Sequence, residues 1–315
     1  MKLLLTGAFN YSNSQIKAIK SLGYEIIFVQ DERIPLNETL TPMEIETIEA
    51  AVCNGLFLFN DIEQFKNLKF IQLTSAGMDR VPLDYIKSHG IQFASARGVY
   101  SVPIAEWVIL KILEIYKKSK QFYQNQNEHK WQKQRDLLEL SDKTAVIIGF
   151  GSIGVEIAKR LKAFGVRVLA VDTRETGKTE ADLIEELFSP DDLEIVIARG
   201  DIIILTAPLT EQTNHMINAK TIGIMKDTAV LINVSRGGLI NEEDLINALN
   251  HGKFLGVALD VFENEPLPNE NPLWDVERVI LTPHNSFVSD QVNARLFKKI
   301  ISNLEQYIST TLGGQ

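Results

Sequence analysis

Six residues constrain this chain more than any others: Gly149-Phe150-Gly151-Ser152-Ile153-Gly154, which follow the apolar run Ala145-Val146-Ile147-Ile148 and open the amphipathic stretch Ile153 to Phe164. An unbroken apolar run of that length is how a strand buried on both faces of a parallel sheet reads. The glycine spacing suits a strand-to-helix turn. Gly149 makes the tight turn, Gly151 lets the backbone approach a pyrophosphate, and Gly154 lets the helix pack closely on the sheet. Asp172 ends the next strand, 23 residues after Gly149. A carboxylate there accepts the ribose hydroxyls of a dinucleotide and repels a 2′-phosphate. Strand, turn, helix and acid together point to dinucleotide binding, with the phosphates on helix N-terminal amides. Arg174 could instead embrace a 2′-phosphate, so NAD is the favoured cofactor and NADP stays open.

A chain of 315 residues, at about 150 per domain, suggests two domains, and a 45 % hydrophobic content can fill two cores. Short apolar runs alternate with amphipathic stretches in the order Leu3 to Leu5, Ile16 to Leu22, Ile26 to Val29, Ile45 to Val52 and Leu56 to Phe59. With Phe70 to Leu73 and Ile91 to Phe93 this predicts about five parallel strands before a domain edge at Arg97-Gly98. From Val102 to about Asn127 the helical spacing of Val102, Ala105, Val108, Ile109, Ile112, Leu113 and Tyr116 predicts one long helix. A second α/β unit starts near residue 144. Its strands are expected at Ala145 to Ile148, Arg167 to Val171, Ile202 to Thr206, Ala229 to Val234, Gly256 to Val261 and Val279 to Thr282, six in all. Ser289 to about Leu312 reads as a final helix with Val292, Leu296, Ile300, Leu304 and Ile308 spaced by four. It has nowhere to pack in a finished doubly wound sheet, which suggests a return to the first domain.

The formal net charge of −9, without a basic stripe, argues against nucleic acid as a partner. No run of about 18 apolar residues occurs, which argues against a membrane span. The single cysteine, Cys53, has no disulfide mate and no neighbour at metal-ligand spacing. A cytoplasmic protein without a metal is the expectation.

In a parallel sheet, ligands bind beyond the carboxyl ends of the strands. There the sequence places Ser235 and Arg236, then Asp260 followed by Glu263 and Glu265, then Thr282, Pro283 and His284. Each alone could be a solvated or structural charge. Together, beside a nicotinamide site, they fit hydride chemistry. The arginine fork binds a carboxylate through two hydrogen bonds, and the histidine exchanges a proton with the oxygen on C2 of a 2-oxo or 2-hydroxy acid. A carboxylate behind an imidazole holds its orientation and favours its charged form.

These motifs are ordered along the chain: Gly149 to Gly154, Ala207-Pro208-Leu209-Thr210, Asn233-Val234-Ser235-Arg236-Gly237-Gly238, Ala258 to Pro266, and Leu281-Thr282-Pro283-His284. In this arrangement the chain resembles the D-isomer-specific 2-hydroxyacid dehydrogenase family over essentially its whole length. The resemblance implies two doubly wound parallel-sheet domains, with a Rossmann nucleotide domain (99–286) inserted in a flavodoxin-like substrate domain (1–98 plus 287–315). It implies that Arg236 binds substrate carboxylate, that Glu265 supports His284 as the acid/base, and that Asp260 contacts the nicotinamide carboxamide. It places the rest of the cofactor on Gly149, Gly151, Ser152, Ile153, Gly154 and Asp172, and on Thr206, Ala207, Pro208, Val234 and Ser235. It makes Ser75, Ala76 and Gly77 a substrate loop, sets Val99 to Ser101 along a hinge, and pairs two subunits through the nucleotide domain as a homodimer. After His284 the family usually has a small or glycine-containing segment, whereas here Asn285-Ser286-Phe287 follow. Two other readings share the fold. One is an NAD-sensing corepressor-like binding protein. The other is a formate dehydrogenase, which normally has Gln where this chain has Glu265.

Overall fold

The structure is a computed structural model that describes residues 1–174, 180 and 182–312. It forms two compact units, Met1–Tyr100 with Ser289–Gln315, and Ser101–Val288. These edges lie two residues beyond the 98/99 and 286/287 boundaries expected above, because the last turn before Ser101 and the loop before Ser289 stay with the elements they follow.

The first unit holds β1 (Lys2–Thr6), α1 (Asn13–Ser21), β2 (Glu25–Val29), α2 (Pro42–Glu46), β3 (Ala50–Cys53), α3 (Leu56–Phe59), β4 (Phe70–Leu73), α4 (Leu83–Ser88) and β5 (Gln92–Ala94). Its strands pair in parallel in the order β2-β1-β3-β4-β5, the flavodoxin-like winding. The third strand is therefore Ala50–Cys53, not Leu56 to Phe59. All four residues of β3 are fully buried in mid-sheet, whereas Leu58 and Phe59 are exposed on a single helical turn. Small side chains hid this strand from a reading tuned to β-branched and leucine-rich runs.

The final helix belongs to this unit. Val292, Leu296, Ile300 and Leu304 bury one face against Leu3, Leu5, Ile19 and Phe70. Tyr307 stacks on Phe70 with ring centroids 4.6 Å apart, and Tyr24 Oη donates to the Leu304 carbonyl at 3.2 Å. A stripe spaced by four is what a helix needs to cover a sheet face left open by the chain before it.

The second unit continues with α5 (Ser101–Tyr116), α6 (Ser119–Asn127), β6 (Thr144–Ile148), α7 (Ser152–Ala163), β7 (Arg167–Val171), β8 (Glu186–Phe188), α8 (Leu193–Ile197), β9 (Ile202–Leu205), α9 (Ala219–Ile224), β10 (Val230–Asn233), α10 (Glu242–Asn250), β11 (Gly256–Leu259) and β12 (Val279–Leu281); the final helix of the first unit is then α11 (Val292–Leu312). The sheet runs β12-β11-β10-β9-β6-β7-β8, all parallel. Counted from β6 this is the Rossmann order extended by one strand. Among the described residues it contains seven strands rather than the six expected. The extra one, β8, is three half-exposed residues at the sheet edge, too short for a hydrophobic pattern. The long helix expected from Val102 to Asn127 is two helices, broken where Lys118 takes a left-handed φ of 51°. No Gly or Pro marks the break, so periodicity alone ran through it. Among the described residues no helix is long and apolar enough to cross a membrane.

Candidate active site

The seven described strands of the second unit are all parallel and so point their carboxyl ends at one edge. After β6, Gly149 takes φ +93°, and a Cβ there would lie 2.4 Å from the Ala207 nitrogen, so only glycine allows the β6 and β9 turns to meet. Thr206 closes the same junction by donating to the Ile148 carbonyl at 3.2 Å and to the Gly149 carbonyl. Gly151 is the N-cap of α7, and no side chain caps that end. A Cβ on Gly151 would meet only the Arg174 Nη2 atom, at 3.8 Å. A Cβ on Gly154 would lie 2.7 Å from the Gly149 carbonyl oxygen. The turn is thus tight where helix and sheet meet and open where backbone amides face outward. Both features fit the pyrophosphate of a dinucleotide on Gly151, Ser152 and Ile153.

Asp172, beyond β7, is nearly buried, and its carboxylate accepts the Phe150 amide at 2.7 Å. Arg174 covers it through Nε at 3.1 Å and Nη2 at 3.0 Å. Burial raises the Asp172 carboxyl, but the bonds from the Arg174 side chain and from the Arg174 and Phe150 amides outweigh it and hold the group below the usual aspartate range. Arg174 is pushed up, chiefly by its bond to Asp172.

Beyond β9 and β10, Ala207 and Val234 are buried, Pro208 is exposed, and the Ser235 hydroxyl donates to the Ala207 carbonyl. Asn233, fully buried, ties the next turn together: its Oδ1 accepts the Ser235 amide at 3.1 Å and its Nδ2 donates to the Arg236 carbonyl at 2.8 Å. Arg236 is half-buried, and its Nη1 donates to the Ser235 carbonyl at 2.8 Å.

His284 and Glu265 meet directly, with Nδ1 2.8 Å from Oε2. The other oxygen of Glu265 accepts the Phe262 amide at 3.1 Å. With Nδ1 engaged, Nε2 is the ring atom left to exchange a proton. Both side chains are about a third exposed, so a small solute can reach them. Phe287 stands edge-on to the imidazole, ring centroids 6.1 Å apart. Asp260 is fully buried under this turn.

The geometry thus brings Arg236, Glu265, His284, Asp260 and the cofactor candidates from Gly149 to Ser235 to one sheet edge of the second unit. Ser75, Ala76 and Gly77 belong to the first unit, just beyond β4, where Ser75 Oγ donates to the Gly77 carbonyl at 3.0 Å. Sequence reasoning passed over two residues that build the site, Asn233 and Gly237. Each lay inside a quoted motif, but only contact geometry separates a turn-builder from its neighbours. It also passed over a second histidine-carboxylate pair, His215 Nε2 to Glu263 Oε1 at 2.7 Å. Among the described residues no three His, Cys, Asp or Glu side chains gather to hold a metal ion.

Residues 109–286 match the family model described as D-isomer specific 2-hydroxyacid dehydrogenase, NAD binding domain. A hydroxypyruvate reductase of Thermotoga maritima is 36 % identical over 250 residues, 77 % of this chain and 80 % of that one. A glyoxylate reductase of Thermofilum pendens is 33 % identical over 243 residues, 76 % of this chain and 71 % of that one. A crystal structure of a D-isomer specific 2-hydroxyacid dehydrogenase family protein from Aeromonas salmonicida superposes with a TM-score of 0.80 at 28 % identity, covering 99 % of this chain and 96 % of that one. The chain belongs to the D-isomer-specific 2-hydroxyacid dehydrogenase family, and its second unit is that family's NAD(P)-binding domain.

Proposed function

We propose that this enzyme interconverts a small 2-oxo acid and the D-2-hydroxy acid, with Arg236 holding the substrate carboxylate and the His284-Glu265 pair handling the proton. The observation that carries the reading is the 2.8 Å contact that turns Nδ1 of His284 to Glu265 and leaves Nε2 for substrate. Arg236 follows β10 and His284 follows β12, with β11 between them. Two strand spacings put their backbones about 10 Å apart, a gap their side chains can close from both sides on an acid of a few carbons.

A nicotinamide cofactor held by the Gly149–Gly154 turn and Asp172 would supply a hydride for C2 of the acid. As charge grows on the carbonyl oxygen, protonated Nε2 of His284 donates to it, and Glu265 steadies the imidazolium before that transfer. In oxidation, neutral Nε2 takes the hydroxyl proton back. Arg236 fixes the acid's orientation through its carboxylate, and the fork geometry suits that better than a lysine would. Phe287, edge-on to the imidazole, narrows the space beside it and thereby biases the substrate side chain.

The first unit, with Ser75, Ala76 and Gly77, is assigned to the substrate, and the second to the cofactor. Asp172 favours NAD, while Arg174 on the same carboxylate leaves NADP usable. A homodimer through the second unit is part of the same reading, and the exposed Trp131 and Tyr123 there are apolar surface that a second subunit would cover. Cytoplasmic residence suits the buried free thiol of Cys53.

The test is oxidation of NADH and of NADPH with glyoxylate, hydroxypyruvate, pyruvate, branched and aromatic 2-oxo acids and phosphohydroxypyruvate, followed by chiral analysis of the product. Turnover giving the D-hydroxy acid is expected. An L product, or cofactor binding with no turnover of any acid, refutes the reading, and the second result favours the cofactor-sensing binding protein.

A further inference from the structure

We propose that His215 and Glu263 are a positioning pair for Glu265; the inference rests on the reading of Glu265 and His284 as the acid/base pair and deepens it. The turn after β11 carries two carboxylates, two residues apart in sequence, and each holds a histidine. Glu265 reaches forward to His284, beyond β12, at 2.8 Å. Glu263 reaches back past the β10 turn to His215, beyond β9, with Oε1 2.7 Å from Nε2. Both histidines have the same left-handed backbone, φ 49° at His215 and 50° at His284, a region that His tolerates but seldom takes. The turn that supports the acid/base is therefore held from both sides.

The backbone at His215 is fixed without its ring. The His215 amide donates to the Gly238 carbonyl at 2.8 Å, the Ile217 amide to the Leu239 carbonyl at 3.0 Å, and the Asn241 amide to the Ile217 carbonyl at 2.8 Å. Within the same loop Thr213 Oγ1 donates to the carbonyl of Pro208, a cofactor candidate, at 2.7 Å. The ring is left for Glu263, where it meets a like-charge contact. The Glu263 amide donates to Glu242 Oε1 at 2.7 Å, and the Glu242 amide to Glu263 Oε1 at 3.4 Å, so each carboxylate lies against the other's backbone. Two carboxylates brought this close repel one another. Nε2 of His215 supplies the donor that offsets the repulsion on Glu263, as Asn271 Nδ2 does on Glu242 at 3.3 Å. Without the ring, Glu263 is pushed away from Glu242 and takes the 262–263 backbone with it. That backbone carries the Phe262 amide, which holds the second oxygen of Glu265 at 3.1 Å.

His215→Asn is the test, because asparagine accepts the left-handed φ while the ring is removed. The deciding readout is the low-field Nδ1–H resonance of His284 in cofactor-free protein labelled with ¹⁵N-histidine, assigned by its loss in His284→Gln. The expected result is a shifted or broadened resonance, with kcat down by about tenfold, below the 10²-fold scale of a full ångström of misplacement. KM for the 2-oxo acid, the dissociation constant for NADH and Tm should stay essentially unchanged. Glu263→Gln added to His215→Asn keeps an acceptor oxygen for the Glu242 amide and removes the repulsion, so the double variant should regain most of the resonance position and of kcat. If His215→Asn does not fold, His215→Gly is measured in the same way. An unmoved resonance in the single variant, or a double variant no nearer to wild type, overturns the proposal. A pair that only stabilises the fold would instead lower Tm and move KM and kcat together, and that result overturns it too. Failure of the functional reading looks different: wild-type protein would turn over no 2-oxo acid, while the resonance still reports on the turn.

Discussion

Gly237→Ala is the perturbation whose outcome the structure fixes most tightly. A Cβ on Gly237 would lie 1.8 Å from the Phe262 carbonyl carbon, 2.0 Å from its oxygen and 2.3 Å from the Glu263 nitrogen. All three are backbone atoms, so no rotamer change relieves the clash. Opening 1.8 Å to an ordinary contact of 3.4 Å moves the 262–263 segment by about 1.6 Å. That segment carries the Phe262 amide bonded to Glu265, and Glu265 holds His284. Overpacking of this kind costs about 1–3 kcal/mol, and a unit of this size loses about 2–4 °C in Tm per kcal/mol. The variant should therefore melt about 2–12 °C below wild type, and its kcat should fall about 10²-fold from the displaced Glu265. Gly223→Ala, in α9, is the control: nothing lies within 4 Å of the added Cβ, and helical Ala is favoured over Gly by about 0.5–1 kcal/mol. Thermal melts and steady-state cofactor oxidation on both variants decide the matter. A Gly237→Ala protein with wild-type Tm and kcat would refute the coupling drawn here between the β10 turn and Glu265.

Two further outcomes follow from the same geometry. Arg236→Lys keeps the charge but loses the planar fork, so KM for the 2-oxo acid should rise by about tenfold or more with cofactor affinity intact, and an unchanged KM would remove Arg236 from the substrate. Asp172 is held below its unfolded value of about 3.9, so the unfolded chain takes up that proton first. Its contribution is whole above that value and lost as pH falls toward the folded-state value. Urea unfolding against pH should show an acid limb that is shallower in Asp172→Asn, and identical limbs would contradict the Asp172-Arg174 account.

Much of this site is legible in the chain because its chemistry sits on strand ends that announce themselves. An all-apolar run before Gly149 fixes where β6 stops, and Arg236 and His284 each follow another such run within a few residues. What is not legible depends on contacts between distant segments. Asp260 is legible as an acid past a strand, but the amides of Asn285 and Ser286 that its carboxylate accepts come from 25 and 26 residues further on and cannot be read from the chain. Gly237 looks like any turn glycine until the Phe262 backbone is seen against it. In the fold, β3 is hidden by its alanines, β8 by its length, and the α5/α6 break by two lysines that carry no helix-stop signal. The spacing of the last helix, by contrast, predicts a single buried face, and that face is the one that closes the first unit.

The most direct measurement of the central claim is the single-turnover reduction of the best 2-oxo acid by wild type and by His284→Ala, with cofactor affinity measured on the same samples. A proton donor at Nε2 predicts a fall of about 10²–10⁴-fold in the rate of the chemical step with cofactor binding preserved. A His284→Ala enzyme that reduces the acid at the wild-type rate would contradict it.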